Sequence, residues 1–465
     1  MSAPVLWVLF PLCLAGLLIL IGNSKSVFLV GCLSTFFLTL AAWLLPIDTA
    51  LTLGKWTIQL IPSIVILGRN FTLSSSDRSF LALIYGSAFF WFLPSITLKT
   101  ARNLIPLGLA VTAMLVAAIS VEPFLYAALI IEAAVLLSIP MLTTRQQKPP
   151  RGVVRFLIFQ TLAVPFILLS GRLLAGIGAN PGNMVLIDQA AILLGLGFAF
   201  LLAIFPFYTW IPLLAEEAHP YMVGFLFWLL PTVTLFWGLG FLDQFPWLRD
   251  AAFLPAVLTT AGTLMVVSGG ILSAFQSNLG RIMGYATIVS TGFSLLALSM
   301  ESRTGLGIFF LLLVPRTLSL GIWAYSLAIL KEQTLGLSFK AVRGMGRKWP
   351  FVTAGLTMAN LALAGLPFLA GFPAQQEILE GLARNSLPIT ICVLGGCIGL
   401  LTGAVRSLGS LTSSPNSTKW TAGETQMERL FIFIGVLGLL LLGIFPQWIM
   451  PLWTRLPVIF EHLGQ

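Results

Sequence analysis

Charged residues are scarce in this sequence. Asp, Glu, Lys and Arg make up only 9% of its 465 residues, whereas about a quarter of the residues in soluble domains are charged. Hydrophobic residues reach 58% and the mean hydropathy is +0.98, so the chain cannot fold as a water-soluble globule. Apolar runs of about twenty residues, each long enough to cross the hydrocarbon core, recur along its whole length. The sequence therefore predicts a polytopic membrane protein in contact with the lipid bilayer.

The sequence also has few cysteines and no cofactor motif. Its four cysteines lie in apolar segments, and none belongs to a CxxC pair or a Cys/His cluster that would hold zinc or an iron–sulfur cluster. No segment resembles a flavin, haem or dinucleotide site. The formal charge of +9 comes from loop residues rather than from a basic stripe with interleaved aromatics. We therefore predict no catalytic residue, no metal, no bound cofactor and no nucleic-acid partner.

The apolar runs predict an all-α fold with about fourteen transmembrane helices. A polar interval at 56–59 is too short and too mixed in composition to cross the bilayer. The predicted spans cover residues 4–22, 27–46, 79–97, 104–121, 123–143, 153–177, 188–207, 220–242, 251–275, 281–300, 304–330, 350–371, 388–408 and 429–450.

Lys and Arg are divided unevenly between the two sides of the predicted spans. Loops that follow odd-numbered spans contain 16 of them and the other loops contain 8, with Arg316 left inside a span. Because cytoplasmic loops carry the excess of Lys and Arg, both termini are predicted to lie on the non-cytoplasmic side.

Two apolar segments are interrupted by proline. The segment Gly195–Leu230 contains Pro206, and the segment Leu363–Phe372 contains Pro367. A proline breaks the helical ladder, and the bilayer tolerates a break only where protein or a water-filled cavity satisfies the freed groups. Two such interruptions in corresponding halves of a membrane protein point to the working region of a transporter. Pro206 and Pro367 therefore mark the predicted helix breaks.

Two ionisable residues lie well inside predicted spans, where a functional role is the default interpretation. Glu132 either takes part in ion translocation or is a protonated residue that bonds a neighbouring helix. Arg316 keeps its charge and needs an acceptor. That acceptor is either Glu132, in a salt bridge, or a carbonyl of a helix unwound by Pro315.

Other ionisable residues lie near span ends. Those after the two breaks either admit protons or stay solvated at the interface, and Arg281 begins a span and is expected to snorkel. The residues after the first break are Glu216, Glu217 and His219, and those after the second are Glu377 and Glu380. The ion-translocation candidates are Glu132, Glu217, Arg281, Arg316 and Glu377.

These residues lie in segments that resemble a known family. The segments are Glu132 with its flanks, FPFYTWIP at 205–212, the pair Glu217–Ala218, NLGRIMGYATIVSTGF at 278–293 and RGMGRKWPFVTAGLTMANLALAGLPFLAGF at 343–372. In them the chain resembles the antiporter-like membrane subunits of complex-I-type quinone oxidoreductases, which are shared with multisubunit cation/proton antiporters and membrane-bound hydrogenases. The resemblance covers nearly the whole chain.

The resemblance implies two inverted five-helix repeats, with the seventh and twelfth helices broken. A single membrane domain would span 1–465. Its parts would be N-terminal helices at 1–100, a first repeat at 101–245, a second repeat at 246–410, and a loop with the last helix at 411–465.

The family is taken to relay protons along a midplane chain of ionisable residues. The resemblance implies that Glu132 is the fifth-helix glutamate of that chain. At the other relay positions, where the family has lysine, histidine or glutamate, this sequence has residues that cannot carry a proton. They are Leu201, Thr232, Ser290 or its neighbour Thr291, Pro315 followed by Ser319, and Gln375. A relay needs groups whose pKa lies within reach of neutral pH, so the sequence predicts that proton conduction is lost or rerouted.

Two hypotheses about function stay open at this stage. In the first, the chain is a structural, non-redox subunit of an NADH- or ferredoxin-linked quinone oxidoreductase and conducts few or no protons. In the second, it actively translocates protons or cations by a divergent route, within a multisubunit antiporter or a membrane-bound hydrogenase. Both imply other membrane subunits as partners, in a bacterial inner membrane, a thylakoid or an equivalent energy-converting membrane. A free-standing transporter of an organic solute is weaker, because no substrate-specific polar cluster is apparent.

Overall fold

The computed structural model describes most of the chain. The described residues are 2–21, 23–49, 51–53, 56–98, 101–143, 150–179, 183–300, 302–413, 420–448, 456–460 and 462–463.

Helices account for nearly all of the regular structure. They are α1 (Phe10–Leu20), α2 (Ser24–Leu44), α3 (Arg78–Phe92), α4 (Ala101–Ser120), α5 (Ala127–Leu142), α6 (Arg151–Ala179), α7 (Met184–Leu201), α8 (Trp210–Glu217), α9 (Pro220–Gln244), α10 (Pro246–Arg249), α11 (Leu254–Phe275), α12 (Leu279–Leu298), α13 (Ser302–Gln333), α14 (Pro350–Leu363), α15 (Phe372–Asn385), α16 (Leu387–Thr412) and α17 (Gln426–Ile444).

The helical membrane fold is confirmed. Within the described residues, 12 helices are long and apolar enough to cross a membrane, and two shorter apolar helices cover Val5–Leu20 and Pro350–Leu363. All of them lie at predicted spans. The number of about fourteen crossings stays a prediction.

Short strands occupy the polar interval after α2 and the end of α4, a departure from a purely helical fold. Strands β1 and β2 form an antiparallel pair, and β3, β4 and β5 form an antiparallel three-stranded sheet in that order. The strands are β1 (Leu51–Leu53), β2 (Trp56–Ile58), β3 (Ser63–Ile66), β4 (Arg69–Thr72) and β5 (Val121–Glu122). Glu122 accepts hydrogen bonds from Asn70 Nδ2 at 3.1 Å and Thr72 Oγ1 at 2.7 Å. Sequence reasoning missed this sheet, in which β3 and β4 are a local hairpin and β4 pairs with β5 about fifty positions away.

The chain divides into two compact units. The first contains Met1–Lys148, Leu157–Leu201 and Thr232–Trp247, and the second contains Pro149–Phe156, Leu202–Pro231 and Leu248–Gln465. The predicted division into N-terminal helices and two inverted repeats stays a prediction.

In the second unit, helices pack closely through glycine. A Cβ atom at Gly396 of α16 would lie 2.5 Å from the carbonyl oxygen of Val266 on α11, and a Cβ atom at Gly284 of α12 would lie 3.0 Å from Pro212 Cα on α8. Small residues of this kind let membrane helices approach backbone to backbone. The short helix α8 is therefore fixed against α12.

Both predicted helix breaks are present, but each begins before its proline. The helix α7 ends at Leu201 and the chain resumes as α8, while α14 ends at Leu363 and resumes as α15. The predicted span 188–207 ran past the end of α7, which is wrong, whereas the second interruption was predicted at Leu363–Phe372 and agrees with the end of α14 and the start of α15. A proline ring clashes with the carbonyl four residues earlier, so Pro206 and Pro367 end the helices near residues 202 and 363.

A left-handed residue follows each of these helix ends by two positions. Ala203 has φ of 53° and Gly365 has φ of 81°. A residue in this conformation commonly closes a helix C-terminus, and glycine adopts it without the steric cost that a Cβ atom brings. The two breaks therefore share one local geometry, and Ala203 carries the greater backbone strain.

Candidate functional site

The second break leaves one backbone carbonyl without a helical partner. Leu366 N–H bonds the Leu361 carbonyl at 3.0 Å, which is a Schellman closure of α14. The Leu363 carbonyl would accept from residue 367, but that residue is Pro367 and has no N–H. This carbonyl instead accepts a hydrogen bond from Gln375.

Gln375 is the amide that replaces the missing donor. Its Nε2 lies 2.9 Å from the Leu363 carbonyl oxygen, and its side chain is buried. A Cβ atom at position 365 would collide with the Gln375 amide oxygen, so Gly365 allows this approach. The Gln375 side chain is thus a neutral donor at a helix end.

The first break is closed in the same chemical way. The carbonyl of Leu201, the last residue of α7, accepts from Gln160 Nε2 at 3.3 Å. Gln160 lies on α6, and both residues are buried. The Leu201 side chain is apolar, while its carbonyl is paired with another neutral amide.

Arg316 also bonds a carbonyl that proline deprives of its donor. Its Nη2 lies 3.1 Å from the carbonyl oxygen of Phe227, whose partner four residues on is Pro231, and 3.0 Å from Thr291 Oγ1. The expectation that Pro315 unwinds its helix is wrong, because α13 runs unbroken through it. A carbonyl acceptor was anticipated, but the acceptor belongs to α9. Among the described residues, Nε and Nη1 of Arg316 have no hydrogen-bond partner.

The acidic pair after the first break is tied to neighbouring helices of the second unit. Glu217 Oε2 accepts from Gly152 N–H at 2.6 Å, at the first turn of α6, where an anion is favoured. Glu216 pairs with Arg281, whose Nη2 lies 2.6 Å from Glu216 Oε2. Asn278 caps α12 and also reaches Glu216 Oε1, at 3.4 Å. Arg281 therefore forms an ion pair in place of the predicted snorkelling.

His219 and Lys331 complete this end of α8. Lys331 Nζ donates to the Ala218 carbonyl at 2.8 Å. Burial, together with the positive charge of Lys331, lowers the pKa of His219 to about 4. Among the described residues, His219 Nδ1 has no hydrogen-bond partner. His219 is therefore neutral at pH 7.

The remaining candidates have separate surroundings. Glu132 is half-buried on α5 of the first unit, and no described residue donates a hydrogen bond to it. Glu377 is exposed on α15. Thr232, Ser290 and Pro315, which the resemblance assigns to relay positions, are buried. The hydroxyl of Thr291 accepts the Arg316 hydrogen bond described above.

Sequence reasoning missed three of these contacts. Gln160, Lys331 and Glu424 each contact a backbone group far away in the sequence. Glu424 Oε1 accepts from the N–H groups of Phe351 at 2.8 Å and Val352 at 3.2 Å, at the start of α14. The only sequence signals were the polar character of these residues near apolar runs. Within the described part of the chain, no group of three or more His, Cys, Asp or Glu is placed to hold a metal ion.

Known proteins resemble this chain in sequence. A family model described as NADH:quinone oxidoreductase/Mrp antiporter, TM, matches residues 171–402, which include both helix breaks. The chain is similar to NADH-quinone oxidoreductase subunit N 1 of Herpetosiphon aurantiacus, with 26% identity over 272 residues, 56% of this chain and 55% of that relative. The matched region thus spans about half of the relative's length.

Solved structures share the fold over the whole chain. A chain of the archaeal membrane-bound sulfane sulfur reductase covers 100% of this chain and 99% of its own length, with a TM-score of 0.81 at 16% identity. A chain of respiratory complex I from Thermus thermophilus gives a TM-score of 0.77 at 21% identity, covering 99% and 100%. By its match over residues 171–402, the chain belongs to the NADH:quinone oxidoreductase/Mrp antiporter superfamily. At these identities the structures establish the antiporter-like fold alone.

The amide of Gln375 gives a first prediction for this antiporter-like chain. Gln375→Leu keeps the volume but leaves the buried Leu363 carbonyl unpaired, so we expect a loss of about 1–3 kcal/mol of stability. The measurement is thermal unfolding of the purified chain in lipid nanodiscs. Gln376→Leu is the matched control, because Gln376 is exposed and bonds only the exposed Glu380. Equal unfolding midpoints for the two variants would refute the role assigned to Gln375.

The lowered pKa of His219 gives a second prediction. Because its folded pKa lies below the ordinary 6.5, protonation opposes folding, and stability is lost as the pH falls from 6.5 towards 4. His219→Gln cannot be protonated, so its unfolding midpoint should fall less than that of the natural chain across this window. His462→Gln, at the other and exposed histidine, should keep the natural pH dependence. A natural pH dependence in His219→Gln would contradict the assignment.

Proposed function

We propose that this antiporter-like chain is a non-redox membrane-arm subunit of a complex-I-like quinone oxidoreductase and conducts few or no protons itself. Its partners are the other membrane subunits of that assembly, in an energy-converting membrane with both termini on the non-cytoplasmic side. Electron transfer belongs to other subunits. The similarity to NADH-quinone oxidoreductase subunit N 1 supports this host.

The observation that carries the proposal is the neutral closure of both breaks. At the twelfth-helix relay position, Gln375 donates to the Leu363 carbonyl, and at the seventh, Leu201 presents only its carbonyl to Gln160. A lysine at either position would bring a proton that can leave. An amide satisfies the same backbone need with no titratable group. The breaks are thus retained without the charges that a relay requires.

The charged residues around the first break also support a structural role. Glu216 is paired with Arg281, and Glu217 accepts a helix N-terminal N–H. A carboxylate fixed by short hydrogen bonds in these positions holds α8 in place. Arg316 keeps its proton and satisfies the Phe227 carbonyl. These groups therefore act as backbone partners rather than as proton carriers.

One observation favours the alternative of an active translocator with a divergent route. Glu132 keeps the fifth-helix glutamate position, and a carboxyl inside a membrane helix is costly to retain. Arg316 has two N–H-bearing nitrogens, Nε and Nη1, without a partner among the described residues. Water bound there would give a polar route without the family lysines, as part of an antiporter or a membrane-bound hydrogenase.

The two functions differ in what the loss of Glu132 does. With Glu132→Gln in the reconstituted host complex, we expect an unchanged number of protons pumped per electron, because Glu132 has no relay lysine with which to exchange a proton. The measurement is the ratio of proton uptake to substrate oxidation in sealed proteoliposomes.

A matched control comes from the same assembly. The corresponding Glu→Gln change, made in a neighbouring antiporter-like subunit that keeps its midplane lysine, should lower the ratio and show that the assay detects one lost pathway. A drop of that size in Glu132→Gln would reject the structural role and favour the divergent route. Copurification of the tagged chain with oxidoreductase subunits, rather than with antiporter or hydrogenase subunits, tests the host separately.

A further inference from the structure

An open pocket in the second unit has no part in the function proposed above. Its volume is about 360 Å³. We call it the basic pocket, and its lining residues are Phe339, Lys340, Arg343, Arg406, Gly409, Ser410 and Ser413. It lies at the C-terminal end of α16, beside the segment that follows α13.

The basic pocket concentrates positive charge without compensation. Three of its lining residues are Lys or Arg and none is acidic. Lys340 and Arg343 are exposed, and no described residue forms an ion pair with either. A cluster of unpaired cations is an electrostatic cost that a bound anion removes. The pocket therefore fits an anion.

Arg406 is held in the basic pocket by two neighbouring residues. One guanidinium nitrogen donates to the Ala274 carbonyl on α11, and the guanidinium carbon lies 5.6 Å from the centre of the Phe339 ring. Ser410 Oγ donates to the Phe339 carbonyl at 3.0 Å. These contacts hold Arg406 against the wall that Phe339 forms, so this one of the three cations is preorganised.

Exposed apolar side chains adjoin the basic pocket. Val405, next to Arg406, is 66% exposed, and Phe275, next to Ala274, is 76% exposed. Ile398 and Leu272, further along the same two helices away from the pocket, are also exposed. The outer surface of α11 and α16 is thus polar at the basic pocket and apolar along the two helices away from it. A phospholipid has the same arrangement of a polar headgroup and apolar acyl chains.

We propose that the basic pocket binds the phosphate headgroup of an anionic phospholipid, whose acyl chains lie along the exposed apolar surface of α11 and α16. Lys340, Arg343 and Arg406 face the phosphate oxygens, and Ser410 and Ser413 border them. Basic pockets between transmembrane helices recognise such headgroups. Inorganic phosphate offers the same oxyanion without acyl chains, so the test separates the two sources.

The experiment is native mass spectrometry of the full purified chain. The delipidated protein is incubated with equal amounts of phosphatidylglycerol and phosphatidylcholine that carry the same acyl chains, and the ratio of the two retained lipids is measured. The natural chain should retain phosphatidylglycerol in preference. Because each Lys or Arg near a lipid phosphate contributes to binding, the double variant Lys340→Gln/Arg343→Gln should lower that preference roughly tenfold.

Two further variants sharpen the test. Gly409→Glu keeps all three cations and adds a carboxylate in open space, since nothing lies within 4 Å of a Cβ atom there; it should lower the preference by a similar factor. The control Lys25→Gln/Lys348→Gln removes two exposed cations outside the pocket and should keep the natural preference.

Each outcome of these measurements either overturns or supports the lipid site. A preference for phosphatidylglycerol that survives both pocket variants overturns the proposal. Equal retention of the two lipids by the natural chain, together with binding of inorganic phosphate that the pocket variants abolish, also overturns it, because the site then recognises free phosphate. Loss of preference in the pocket variants alone supports the lipid site.

Discussion

A backbone carbonyl that loses its helical N–H inside a bilayer finds no water to replace that partner, and leaving it unpaired costs several kcal/mol. Proline creates this situation at the carbonyl four residues before it. Three buried carbonyls here, at or near proline-interrupted turns, receive a side-chain donor: Gln375 bonds Leu363, Arg316 bonds Phe227 and Gln160 bonds Leu201. The broken-helix fold depends on these donors.

This constraint connects the fold to the proposed function. Under the proposed function, two positions that the resemblance assigns to the relay, Leu201 and Gln375, lie at or beside the helix ends that need donors. A lysine can serve as the donor and also exchange a proton, whereas glutamine can do only the first. Gln375 therefore separates the structural requirement of the break from the chemistry that the break supports in a relay. The first break follows the same logic, with the donor on α6 and an apolar side chain at Leu201.

The C-terminal end of α8 shows how contacts with neighbouring helices make the break region rigid. Ion pairing at Glu216, the helix N-terminus beside Glu217 and the Lys331 bond to Ala218 converge within three consecutive residues. The glycines of α12 bring α8 close enough for these bonds to form. A segment with this many fixed partners is suited to hold a subunit interface or a helix end, and poorly suited to switch its charge.

Local sequence patterns were enough to predict the helical membrane fold and both breaks. Apolar length located the spans, and Pro206 and Pro367 located the interruptions. The start of the first break was misplaced, because the clash of Pro206 with a preceding carbonyl acts several residues upstream, whereas the second break starts at Leu363 as predicted. Pro315 was expected to unwind its helix, but α13 continues through it. The donors Gln160 and Lys331 could not be predicted, because each meets its carbonyl across a long sequence separation. The pairing of Arg281 with Glu216 could not be predicted for the same reason, because the two residues are far apart in the sequence.

Helix breaks that are closed by neutral amides should not conduct protons. The most direct test is proton flux through the purified full chain in liposomes, driven by a potassium gradient with valinomycin and followed with a pH-sensitive dye inside the vesicles. We expect a flux equal to that of protein-free liposomes. A flux above that background that Glu132→Gln abolishes would contradict it.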